Sequence, residues 1–169
     1  MGQGRNPYQA VQNYRSALLR VISCVTPSVI VVRSVEGFRP GSEHRLALGP
    51  EEAIKLPGAA VSLSVQIFTR VSEQAGQTSP WMVSLSSYFC ALREPEGPEI
   101  IAYHWHPGRR SPIDFPHLHL GAGSGVSRDD LQKAHIPTGR VELEDVLAMA
   151  IREFGVRPRR DDWADILGT

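Results

Sequence analysis

The sequence predicts an α+β fold, a mainly antiparallel sheet of about five or six strands with an N-terminal helix and C-terminal helices packed on one face. Three observations carry this. Apolar residues recur at helical spacing near both ends of the chain: Val11, Tyr14, Leu18, Val21, Ile22 and Val25, then Leu143, Val146, Leu147, Ala150, Ile151 and Phe154. Between them Val61, Leu63, Val65 and Ile67 alternate with Ser62, Ser64 and Gln66, as in a sheet with one apolar and one polar face. The connections between strand-like runs are mostly short, which favours antiparallel neighbours.

At 169 residues the chain reads as a single domain, 1–169, large enough to bury a core without staples. A hydrophobic share of 41% and a charged share of 21% are those of an ordinary soluble globular protein. Eighteen basic residues balance eighteen acidic ones, so global charge points to no polyanion partner, and any nucleic-acid contact needs a local patch. Cys24 and Cys90 form no CxxC pair and read as two buried free thiols. The N-terminus has no apolar leader, and no apolar run approaches the ~18 residues of a membrane span. The expectation is a cytoplasmic protein with no membrane partner.

Taken in order, residues 1–6 are expected to be frayed. Asn6 followed by Pro7 is a helix opening, an N-cap with proline at the first helical position, and Pro27 is the expected stop. Ser28–Val35 is rich in β-branched residues and reads as a strand, Gly37–Gly41 as a turn and Arg45–Leu48 as a short strand. The segment GPEEAIKLPG reads as a turn or one helical turn. Ala60–Val71, Met82–Glu94, Ile100–His106 and Pro116–Leu120 supply the remaining strands. Gly121–Gly125 invites a phosphate-cradle reading, but Val126 stands where GxGxxG needs its third glycine, so a loop leaving the sheet is the expectation. Ser127 with Asp130 resembles a capping box for a short helix through His135. A longer helix covers 141–154 with Gly155 as its C-cap, and a final short helix starts near Asp161.

The chemistry is concentrated in Tyr103–Leu120, YHWHPGRRSPIDFPHLHL, which holds four of the six histidines as two His-x-His pairs. On strands, the two-residue period puts His104 and His106 on one face, and likewise His117 and His119. Trp105 and Leu118 then point to the opposite, more buried side. Folding the Pro107–Pro116 loop back sets His106 beside His117 and His104 beside His119, so that four imidazoles share one patch.

Two chemistries suit such a patch. As proton-transfer groups, His104, His106, His117 and His119 are catalytic candidates for phosphodiester cleavage, with Arg109 and Arg110 binding the phosphate. As ligands, the same four histidines suit a catalytic zinc or iron ion, with Asp114 as an acceptor that orients an imidazole. His135, with Lys133, is placed to approach from the following segment, whereas His44 reads as incidental. The plain alternatives are polar residues on a solvent-facing hairpin, or a sheet face that binds another protein without catalysis.

The pattern YHWHP, then FPHLHL, then a helix reading LEDVLAMAI resembles the TumE-type toxins of bacterial toxin–antitoxin modules, over about Tyr88–Phe154. In this chain the histidines of FPHLHL stand two apart, closer than in that family's corresponding element. The ending HIPTGRV followed by LEDVL and EFGVRPRRDDW is similar to a group of bacterial proteins with no assigned activity. The toxin resemblance implies a growth inhibitor directed at RNA or nucleotides, a ribonuclease being one form, with an antitoxin protein and RNA as partners.

Overall fold

The computed structural model describes residues 2–49, 53–108 and 112–169. The fold is α+β, with four helices and a mainly antiparallel sheet of nine strands among the described residues. The strands exceed the five or six expected because three of them are only two residues long, too short to show any alternation.

The helix α1, Pro7–Ile22, opens as its sequence dictates. Pro7 occupies the first turn, where a missing N–H costs nothing, and the Asn6 side chain accepts a hydrogen bond from the Gln9 N–H at 2.8 Å. It ends at Ile22 rather than running to Pro27, because the Cys24 and Val25 N–H groups donate three residues back, to the Val21 and Ile22 carbonyls, and close tighter turns. The proline therefore lies beyond a helix that has already ended.

The strands are β1, Gln3–Gly4; β2, Ile30–Ser34; β3, Glu43–Leu48; β4, Ile54–Lys55; β5, Ser62–Glu73; β6, Trp81–Arg93; β7, Glu99–Trp105; β8, His117–Leu120; and β9, Ile136–Pro137. Their main order is β2-β3-β5-β6-β7-β8-β9, with β1 on β6 and β4 on β5. The N-terminus is thus paired rather than frayed, Gln3 opposite Met82 and Gly4 opposite Trp81. Glycine makes this possible: a Cβ at Gly2 would stand 2.5 Å from the Tyr14 Cβ, and one at Gly4 would collide with the backbone of Ala10. Only a chain without side chains there slides under the start of α1.

The apolar halves of the strands face the helices. Leu46, Leu48, Leu63, Val65, Ile67, Tyr88, Cys90 and Leu92 form one core with Leu18, Val21 and Ile22 of α1 and Val146, Leu147 and Ala150 of α3, Leu143–Phe154. α4, Trp163–Leu167, adds Leu167 to the same cluster. A smaller cluster of Ala10, Val11, Val71 and Val83 continues the core under the first half of α1. Cys24 and Cys90 are free and buried, and burial pushes the Cys90 thiol up to about 12. No described helix is long and apolar enough to cross a membrane.

The segment after β8 departs from expectation. Ser127 and Asp130 do not form a capping box; α2 is only Asp129–Lys133, and Asp130 pairs instead with the Arg128 guanidinium at 2.5 Å. His135 falls outside the helix, immediately before β9. The reciprocal cap appears at α3, where the Asp145 carboxylate accepts from the Glu142 N–H at 3.0 Å.

Leu147 is fully buried in the main core. Leu147→Ala is expected to lower unfolding stability by roughly 2–5 kcal/mol, measured by urea denaturation. A loss under 1 kcal/mol would mean that α3 contributes little to the sheet packing.

Candidate metal centre

The face of the sheet opposite α1 and α3 is built from the other set of alternating residues. On β6 and β7 these are Phe89, Ala91, Ala102 and His104, and on β8 His117 and His119. The small side chains of Ala91 and Ala102 lie in one register row with His119, and Phe89 lies in the next row with His104 and His117. The Phe89 ring meets the His104 imidazole edge-on at 4.9 Å.

The pairing across the hairpin differs from the sequence expectation by two residues. His104 stands opposite His117, and Ala102 opposite His119, so His106 projects past the end of β7. The shift preserves the shared face because it is an even number of residues. The expected burial order also fails. His117 is 0% exposed, whereas Trp105 and Leu118 on the opposite side are only half-buried. Trp105 lies near the edge of the core, with the Arg140 guanidinium 4.5 Å above its ring and its indole N–H donating to the Asp114 carbonyl.

Antiparallel pairing of β8 with β9 then adds a fifth imidazole. His117 faces Pro137 and Leu118 faces Ile136, which brings His135 next to His119 with ring centroids 4.5 Å apart. His117 sits at the centre, 5.5 Å from both His104 and His106, 5.1 Å from His119 and 4.9 Å from His135. Two triads have ligand atoms within 4.8 Å of one another: His104, His106 and His117, and His117, His119 and His135. His135 was visible in the sequence only as a neighbour of the pairs; its role depends on a two-residue strand that carries no sequence pattern.

The ring nitrogens indicate what the patch is fitted for. His117 Nδ1 lies 2.9 Å from the Phe115 carbonyl, which can only accept, so Nδ1 carries the proton and Nε2 holds the lone pair. That Nε2 is buried without a partner, as are Nε2 of His104 and Nδ1 of His106. Buried polar nitrogens are normally hydrogen-bonded, and leaving one unpaired costs about 1–3 kcal/mol. Three orphans in one triad form a donor set for a cation. The carbonyl that orients His117 belongs to Phe115 rather than being the expected Asp114 carboxylate.

Charge within the patch points the same way. Burial pushes the His104 imidazole down to about 4, with His119, His117, His106 and His135 adding repulsion. His119 is lowered by burial and then by His135, His117 and His106, opposed by a hydrogen bond to the Gln132 backbone. His104 and His119 are thus driven toward the neutral form, in which an imidazole ligates a metal.

Among the other sequence candidates, Arg109 and Arg110 lie outside the described residues. His44 is separate from the patch, fully buried on β3 and stacked on Phe38 at 5.1 Å. The Gly121–Gly125 segment forms a 3₁₀ turn at Ala122–Ser124 against the backbone. A Cβ at Gly121 would overlap the Glu99 carbonyl, so this glycine permits close packing over β7. A cleft of about 560 Å³ opens at the end of β7, lined by Trp105, Pro107, Gly108, Ser86, Ser87, Arg70 and Glu43; His106 itself does not line it. No family model, curated protein or solved structure matches the chain.

In metal-free protein, the unfolded chain protonates His104 as pH falls through about 6.5, while the folded chain waits until about 4. Stability is therefore fully present above pH 6.5 and lost progressively as pH falls from 6.5 to about 4. The urea midpoint of chelator-treated protein is expected to decline across this window, and His104→Ala to flatten the decline. A midpoint independent of pH there would show that the imidazole is not desolvated.

Proposed function

We propose that the protein is a metal-dependent hydrolase, with a zinc or iron ion on His104, His106 and His117. The single observation that supports this most is that each of the three has a buried ring nitrogen with no partner. Imidazole is a borderline ligand that suits zinc, iron, copper and nickel, and three imidazoles leave a position for water or substrate. A divalent ion held there would polarise a carbonyl or phosphoryl oxygen and acidify a bound water.

The chain's own groups then have defined tasks. The Phe115 carbonyl holds His117 in the tautomer that presents Nε2. Phe89 backs His104 and keeps water from that side of the ring. Among the described residues, the cleft at the end of β7 carries one cation, Arg70, with Glu43 opposite it on the neighbouring strand. Phosphodiesters, RNA included, are a substrate class whose charge an Arg70 guanidinium suits.

Elemental analysis of protein purified without a histidine tag tests the reading. Zinc or iron near one ion per chain is expected in wild type, and His106→Ala and His104→Ala are expected to bind it more weakly and to give it up to a chelator at lower concentration, while circular dichroism stays native. Wild-type protein that binds neither metal after chelation and reloading would defeat the metal-centre reading.

A second reading keeps the patch metal-free, as an RNA-directed toxin using proton transfer. Its support is the toxin-like pattern of the two His-x-His elements around the Arg109–Arg110 loop. It needs one imidazole charged and one neutral near pH 7, whereas burial and crowding drive His104 and His119 both toward the neutral form. Expression in a bacterium without neighbouring genes separates the two. Growth arrest relieved by His106→Ala or His117→Ala, with RNA cleavage in vitro that survives chelation, supports the metal-free toxin. Cleavage abolished by chelation and restored by zinc supports the hydrolase.

A further inference from the structure

We propose that the five imidazoles form a two-position site for a single ion, which enters on His119 and His135 and passes to His104 and His106 while remaining on His117. This rests on the reading of the patch as a metal centre. Its starting point is that the two triads share only His117.

His117 serves one triad at a time. Its Nδ1 proton is held by the Phe115 carbonyl, so a single lone pair, on Nε2, is available. One lone pair binds one ion. The triads are therefore alternatives, and the centre is not a binuclear site bridged by His117.

Burial orders the two positions. His135 is exposed and His119 half-buried, so an ion on the outer triad keeps access to solvent. The inner triad holds all three of its unpartnered nitrogens away from water. Entering that position directly would take the ion to buried nitrogens with no exposed imidazole to replace its first waters. Entry by way of His135 and His119 replaces water by imidazole one ligand at a time. The rings are spaced for it: His104 and His119 lie 5.0 Å apart, and both lie within 5.5 Å of the pivot His117. The inner position is the resting one because it satisfies three buried nitrogens at once.

Full-length protein stripped by a chelator and reloaded with cobalt(II), whose visible absorption reports coordination, tests this. Wild type is expected to take up a single ion per chain. A waypoint accelerates entry and exit equally, so His135→Ala should slow both loading and chelator-driven loss by the same factor without moving the equilibrium affinity. His119→Ala gives the same signature from a second residue. His106→Ala should retain fast uptake with weakened affinity, the ion being left on the outer triad. Two ions per chain, or loading of both outer variants at the wild-type rate, would overturn the two-position site while leaving a metal centre intact. Wild-type protein that takes up no cobalt or zinc would defeat the metal centre itself, and this inference with it.

Discussion

The two-residue alternation of the antiparallel ladder is the constraint on which everything else here depends. Along β5, β6 and β7 it sends Leu63, Val65, Ile67, Cys90 and Leu92 toward α1 and α3. By the same step it sends Phe89, Ala91, Ala102 and His104 to the other side. The core and the histidine patch are thus two faces of one backbone arrangement. A slip of one residue between β7 and β8 would carry His117 and His119 to the opposite face. The burial of Leu63 and Leu92, both at 0%, is part of what holds the ladder in place.

Five imidazoles within ring contact are an electrostatic problem before they are a site. Protonating His104 places a charge against its neighbours, and its burial denies that charge its water. Neutral imidazoles avoid repulsion, but their lone pairs then converge with nothing to accept. The Phe115 carbonyl resolves only one nitrogen of His117. An added cation resolves the rest, because it replaces mutual repulsion by shared attraction. Hydrogen-bond accounting and charge accounting therefore reach the same chemistry independently.

Much of this was legible in the sequence, and the boundary between what was and was not is physical. The helical stripes and the 61–67 alternation name the fold because each depends on local periodicity alone. The shared face of His104, His106, His117 and His119 was legible for the same reason. The register was not, since the Pro107–Pro116 connection is too long for a tight turn to specify the pairing. The approach of His135 was legible, but the strand that sets it beside His119 was not, nor was the Gln3–Gly4 strand, because a two-residue strand has no period to read. Phe89 escaped notice because an aromatic on a strand is ordinary, and only its register with His104 makes it a wall of the site.

The order of the strands makes the patch mechanically uneven. β7 is flanked by β6 and β8, and its Tyr103 and Trp105 lie on the helix-facing side, so His104 projects from backbone held on both edges and below. β9 is a two-residue edge strand joined to the short α2, with little burial to hold it. Elements with few buried contacts open at lower free energy than the core they border. His135 therefore stands on the most yielding element of the patch and His117 on its most buried point. That gradient matches what a metal centre needs, a ligand set rigid enough to be selective beside an approach loose enough to exchange water. The same sheet supplies both, because its edge and its interior lie only one strand apart.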